Sequence, residues 1–275
     1  MKQESAYRWA GAASRAPARL STWGAAFTLA LGFSPQVRAQ LPEAPKSTQS
    51  AREQAPQDLT GYWVSLVTED WRFRMMVADP GDTESVPLNA EGLKVAKSWN
   101  PDQARADNAN ACKAFGAAGL MRIPGRLHIS WQGDNVLKIQ TDSGTQTRLF
   151  YFSKPLPRDE SLSLQGYSVA RWQGTGSRQP LGRSQKTKEG YLEVITDHLL
   201  PGYLRTNGVP YSSGTKLLEY YDGFREANGD VYLVITTVVT DVTYLTQPFV
   251  TSSHFKQLPG NSGWDPTPCR ADEPR

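Results

Sequence analysis

Histidine and cysteine are scarce in this chain of 275 residues, with three of the first and two of the second. A structural zinc site needs ligands grouped at short spacing. Cys112 and Cys269 stand far apart with no histidine pattern beside them, so no metal is expected. Met75, Met76 and Met121 would suit copper only beside a His or Cys cluster, which the chain lacks. There is no G-x-S-x-G elbow, since "GTGSRQ" has the wrong spacing, and no P-loop, dinucleotide fingerprint, H-E-x-x-H or C-x-x-C. These absences argue against the hydrolases, nucleotide enzymes and redox proteins that carry those motifs, and no cofactor is expected. The apolar run "WGAAFTLALGF" (23–33) is too short to span a bilayer comfortably.

That run has a second reading. Arg8, Arg15 and Arg19 precede it, and "PQVRAQ" follows with Val37 and Ala39 placed as at a small-residue cleavage site. The pattern predicts a secretory signal over 1–39, a periplasmic or secreted location, and no stable membrane span after cleavage; the alternative is an uncleaved anchor. Net charge follows the signal. Residues 1–39 hold five of the 30 basic and one of the 27 acidic side chains, so the +3 of the whole chain becomes −1 for the remainder. A nucleic-acid surface needs a clustered basic face, and nucleic acid is not an expected partner. In an exported chain Cys112 and Cys269 suggest a disulfide between the C-terminal tail and the middle of the chain. Residues 40–58, polar and proline-containing, read as a flexible linker. Residues 59–258 are long enough for one domain with its own core, and 259–275 form a tail.

Within that domain strands dominate. "GYWVSLVTEDWRFRMMV" (61–77) reads as a long first strand, followed at short spacing by "RLHISWQ", "NVLKIQTD", "TQTRLFYF", "SVARWQ", "YLEVITDHL", "TKLLEYYDGF", "DVYLVITTVVTD" and "FVTSSHFKQL". Gly133-Asp134-Asn135, Ser143-Gly144 and Asn228-Gly229 supply hairpin turns, because such pairs tolerate a positive φ. Many short strands joined this way indicate an antiparallel sandwich or barrel. "PLNAEGLKVAKSW" (87–99) predicts a short helix with Asn89 as N-cap, and the alanine-rich 101–120 adds further turns. This helical insertion after the first strand is expected to cover one end. The loop 174–190 is glycine-rich and basic.

Candidate functional residues follow from the alternation. In "RLHISW", Arg126, His128 and Ser130 share one face, and Leu127, Ile129 and Trp131 the other. The apolar face is the one expected to be buried. His128 is then a solvated strand residue; facing a lumen, it would be a proton-transfer group. Glu219 shares a face with Leu217 and Tyr221 and would need a buried partner, for which Arg148 and Arg205 are candidates. Tyr220 lies beside it. After Asp197, proline and glycine break the chain into a loop with His198, Tyr203, Arg205, Asn207 and Tyr211, a natural place for binding groups at a barrel mouth. His254 reads as an ordinary strand residue, and Asp142 as the cap of the Ser143-Gly144 turn. Trp71, Trp131 and Phe150 belong to an aromatic set that suits either an apolar cavity or a packed β core.

"LTGYWVS" resembles the Gly-x-Trp opening of lipocalins at Gly61-Tyr62-Trp63, and "VVTDVTYLT" is similar to their later Thr-Asp segment at Thr240-Asp241. A second resemblance spans most of 59–257. "GYSVARWQG", "YLEVITD", "GVPYS" and "LLEYYDGF" resemble, in the same order, segments of a widespread and largely uncharacterised group of exported bacterial proteins with lipocalin-like barrels. Cys112 and "LMRIPGRLHI" match that group's cysteine and the proline-bearing start of its next strand. The resemblance implies the fold and export, and no particular reaction.

The expected fold is therefore mainly β: an antiparallel lipocalin-like barrel with a short helical insertion. The expected function is binding of a small hydrophobic or aromatic molecule in the lumen, with Trp71, Trp131, Phe150, Tyr203, Asn207 and Tyr211 as contacts. The competing expectation is a cofactor-independent lyase, isomerase, cyclase or hydrolase. It would use His128 or Glu219 as general base, Arg148 and Arg205 as anion stabilisers, and Tyr220 beside them. A structural or partner-binding envelope protein is the third. The oligomeric state is not set by the sequence.

Overall fold

A computed structural model describes residues 49–76, 78–106, 111–152, 161–174, 177–178, 187–188 and 190–270. The expected signal (1–39), most of the expected linker, part of the 101–120 segment, part of the basic loop and the last five residues lie outside the described residues.

Nine strands close into a barrel: β1 (Gly61–Leu66), β2 (Arg126–Trp131), β3 (Val136–Thr141), β4 (Thr147–Phe152), β5 (Tyr167–Gln173), β6 (Tyr191–Asp197), β7 (Lys216–Arg225), β8 (Val231–Thr240) and β9 (Phe249–Leu258). Each pairs with its neighbours in sequence, and β1 pairs with both β2 and β9. A ring with an odd number of strands cannot alternate direction all the way round, so at least one neighbouring pair must be parallel. That pair is β4–β5, where Phe150, Tyr151 and Phe152 face Ser168, Val169 and Ala170. The expected all-antiparallel sheet is thus mixed. β4 ends at Phe152 and β5 begins at Tyr167, a separation in sequence long enough for the return that parallel strands require.

The first strand is shorter than expected. It ends at Leu66, and residues Trp71–Arg74 form a helical turn, α2, instead of continuing the sheet. Asp70, with φ +50°, turns the chain out of the extended region just before α2. Between β1 and β2 also lie α3 (Ala90–Ser98) and α4 (Pro101–Ala106). A 3-10 turn (Lys113–Phe115) and α5 (Ala117–Leu120) complete this segment. Asn89 Oδ1 caps α3 by accepting from the Gly92 amide at 2.9 Å.

Period-two alternation fixes which face is inside. Trp63, Ile129, Leu137, Phe150, Leu192 and Leu233 are essentially fully buried and fill the interior with many similar residues. The segment before β1, expected as linker up to residue 58, is docked from Ser50 onward. A capping box between Ser50 and Glu53 starts α1 (Ala51–Gln54). Ala51 and Arg52 donate to Asn135 Oδ1 and Asp134 O in the β2–β3 turn, and Trp172 Nε1 donates to Ala51 O at 2.7 Å. Gln57 bridges Gly190 and Gly223. These contacts all lie at the barrel end where β2, β5 and β7 finish.

The opposite end, where β1, β3, β6 and β8 finish, receives α2 to α5 and the loops around residues 142–146, 198–215 and 241–248. Asp241, 2 % exposed, organises one of these loops. It accepts from Ser212, Thr215, Thr243 and Tyr244. Burial works against its charge, yet these bonds outweigh it and hold the carboxyl below the usual carboxylate range.

Candidate functional site

A buried polar network crosses the interior. Arg148 (β4) and Glu219 (β7), both fully buried, form a two-pronged pair with Nη1–Oε1 at 2.8 Å and Nη2–Oε2 at 2.5 Å. Two strands separate them in the sheet. The inward residues of those strands include Ser168 and Thr196, which are small enough to leave room for the bridge and polar enough to join it. Thr196 Oγ1 accepts from Arg148 Nη2 at 3.1 Å and shares a hydrogen bond with Ser168. Tyr221 donates to Glu219 Oε1 at 3.2 Å. Burial opposes the Arg148 charge, but the Glu219 carboxylate overrides it and holds the guanidinium above its ordinary value. Burial also raises the Tyr221 hydroxyl well above the phenol range. Such a two-pronged pair locks geometry, although Arg148 Nε is buried without an acceptor. It offers no free proton-transfer group.

A cavity of about 220 Å³ lies at the helix-covered end. Its walls come from five separate segments. Phe73, Arg74 and Met76 belong to the α2 region. Phe115, Gly119, Arg122 and Ile123 come from the turns before β2, Ser143 from the β3–β4 turn, Leu204 to Thr206 from the loop after β6, and Thr267, Pro268 and Arg270 from the tail. Gly144 (φ +73°) lies so near the ring of the wall residue Phe115 that a Cβ would stand 2.1 Å from it, and away from the cavity Gly208 (φ +84°) abuts Trp99 in the same way. The tail is held by a Cys112–Cys269 disulfide and by Thr267 N donating to Asp142 O at 2.9 Å.

Three of the cavity arginines are buried: Arg74, Arg122 and Arg205, each at most 6 % exposed. Arg74 is ion-paired with Glu69, and its Nε donates to Arg122 O at 2.7 Å. Arg122 pairs with Asp70 at 3.1 Å. Arg205 has no carboxylate partner among the described residues. Its Nη2 reaches Ser85 Oγ at 3.4 Å, its Cζ lies 3.7 Å from the centre of the Phe73 ring, and Nε and Nη1 find no acceptor. Burial, and then repulsion from Arg122, lowers it to about 10.

The candidates from sequence are scattered. His128 is on the outer face, stacked on Tyr62 at 4.3 Å with Trp264 of the tail edge-on to both rings. Arg148 and Glu219 meet inside; Tyr220 points outward against Tyr191. Of the five residues expected to act together in catalysis, only that pair is in contact. Phe150 is core, edge-on to Tyr221. Trp131 packs on Phe152 at the α1 end, and Trp71 is 60 % exposed. Asn207 is buried and donates to Asp79 O and Asp82 O, a loop-fixing role. Tyr203 and Trp99 line a separate, more open pocket of about 290 Å³. Tyr211 is buried, and burial raises its hydroxyl far above the phenol range. His198, with φ +57°, bonds Asp197 at 2.5 Å; His254 bonds Thr68 at 3.1 Å. Asp142 does cap its turn, accepting from Ser143 N and also from Arg126 N. The lumen expected to hold ligand is occupied by side chains, and the cavity lies at its end. Phe73 and Arg74 are missed because "RFRMM" reads as more strand, and Arg122 because "LMRIPG" reads only as the entry to β2. Among the described residues no cluster of three or more His, Cys, Asp or Glu is placed to hold a metal, and no helix is long and apolar enough to cross a membrane.

No protein-family model, curated protein or solved structure matches the chain.

Proposed function

We propose that the chain is an exported, lipocalin-like barrel that binds a small, largely apolar molecule in the cavity at its helix-covered end. The cavity itself carries this reading. Five segments distant in sequence converge on one space with apolar walls and a few inward polar groups, the usual anatomy of a small-molecule site. Size narrows the ligand. A 150 Å³ protein cavity accommodates benzene, so about 220 Å³ suits a molecule of roughly ten non-hydrogen atoms. A sterol or long acyl chain would not be enclosed. Export is supported by the signal-like residues 1–39, and a disulfide fits an oxidising compartment.

Native mass spectrometry of the protein purified from its own host tests this. The wild type is expected to retain a small molecule. Thr206→Trp, which places an indole in the cavity from a partly exposed wall position, is expected to lose it while keeping the same unfolding midpoint. Equal retention by both proteins would sink the assignment to this cavity.

A further inference from the structure

We propose that the ligand is a monoanion, an aromatic or short aliphatic carboxylate whose head group pairs with Arg205. This rests on the cavity reading above and adds the charge of the ligand to it.

The placement of ion pairs around the cavity carries the inference. Glu69 is committed to Arg74, Asp70 to Arg122, and Asp82 and the exposed Glu84 both to Arg72, at 2.5 and 2.6 Å. Arg205 is as deeply buried as Arg74 and Arg122, yet has only a long contact to the Ser85 hydroxyl and the face of Phe73. Stacking on the ring face offsets only part of the cost of taking a guanidinium out of water. Asp70 and Asp82 lie near enough to favour its charge, but neither reaches ion-pair distance. A carboxylate would supply a counter-charge and two acceptors in the geometry a guanidinium matches once the Arg205 head turns towards the cavity, since Nε and Nη1 are closed off as the side chain stands. One buried guanidinium beyond ion-pair distance of every carboxylate among the described residues suits one negative head group. The apolar neighbours Phe115, Ile123, Pro124 and Leu204 suit the rest of the molecule.

The test uses 3-phenylpropanoate and phenylacetate beside their neutral amides, titrated into the full mature protein by calorimetry. The acids should bind about tenfold or more tightly than the amides. Arg205→Met should weaken acid binding until the two affinities meet. Arg205→Lys, which keeps the charge and loses the fork, should fall between. If Arg205→Met does not fold, the comparison in the wild type decides alone. Equal binding of acid and amide by the wild type would overturn the anion inference and leave the cavity reading intact. No binding of any of the four compounds would overturn both.

Discussion

Replacing Glu219 by leucine should destabilise the fold by about 3–5 kcal/mol, because it strands the Arg148 guanidinium inside the barrel. The converse change, Arg148→Met, should cost less. A stranded carboxylate can take up a proton and become neutral, whereas a guanidinium at neutral pH has no such escape. The double variant Arg148→Met/Glu219→Leu should lie within about 2 kcal/mol of the wild type, since it exchanges a desolvated ion pair for apolar packing of similar bulk. The sum of the two single effects would then greatly exceed the double effect, a coupling that urea unfolding of the four proteins measures directly. A loss below about 1 kcal/mol for Glu219→Leu would mean that the pair is hydrated in solution, against its complete burial here.

Loss of the Cys112–Cys269 bridge is the second large effect. It closes a loop of 157 residues, and the chain-entropy estimate for a loop of that length is about 5 kcal/mol; measured values usually fall nearer 2–4. The Cys112→Ser/Cys269→Ser variant should therefore unfold at a clearly lower urea midpoint than the oxidised wild type. Reduced wild type should match the variant. The change also reaches the cavity. Thr267, Pro268 and Arg270 flank or adjoin Cys269 and form part of the wall, so ligand affinity should fall with stability. Backbone contacts of Thr267 with Asp142 and Thr145 would hold part of the tail in place, so affinity should be reduced and not abolished. An unchanged midpoint would show that the tail already follows this path without the bridge.

The strands were readable because alternation and turn chemistry agree. "RLHISW" and "VLKIQT" place Leu127, Ile129, Leu137 and Ile139 inward, as the apolar face predicts. That settles the side on which His128 lies. Glu219 breaks the apolar pattern of its own face, which correctly marks a group needing a buried partner. The strand list alone also contained the parallel pair, since a closed ring of nine strands cannot avoid one. What failed was local. The residues "SARE" carry a capping box, but polar composition around them masked it. Asp70, beyond the end of β1 at Leu66, leads into α2 by a left-handed turn that its residue type permits without requiring. The arginine cavity was the least readable feature. Arg74, Arg122 and Arg205 lie far apart in sequence and meet only through the closure of the barrel, and no period or spacing encodes such a meeting.

The place where a small molecule binds decides the function of this barrel. A two-dimensional amide spectrum of the assigned protein, titrated with 3-phenylpropanoate, tests this most directly. Shifts should concentrate at Phe73, Phe115, Arg122, Leu204, Arg205 and Thr267 and saturate together. Shifts confined to Ile129, Leu137 and Phe150, deep in the barrel, or no shifts at all, would contradict a binding cavity at the helix-covered end.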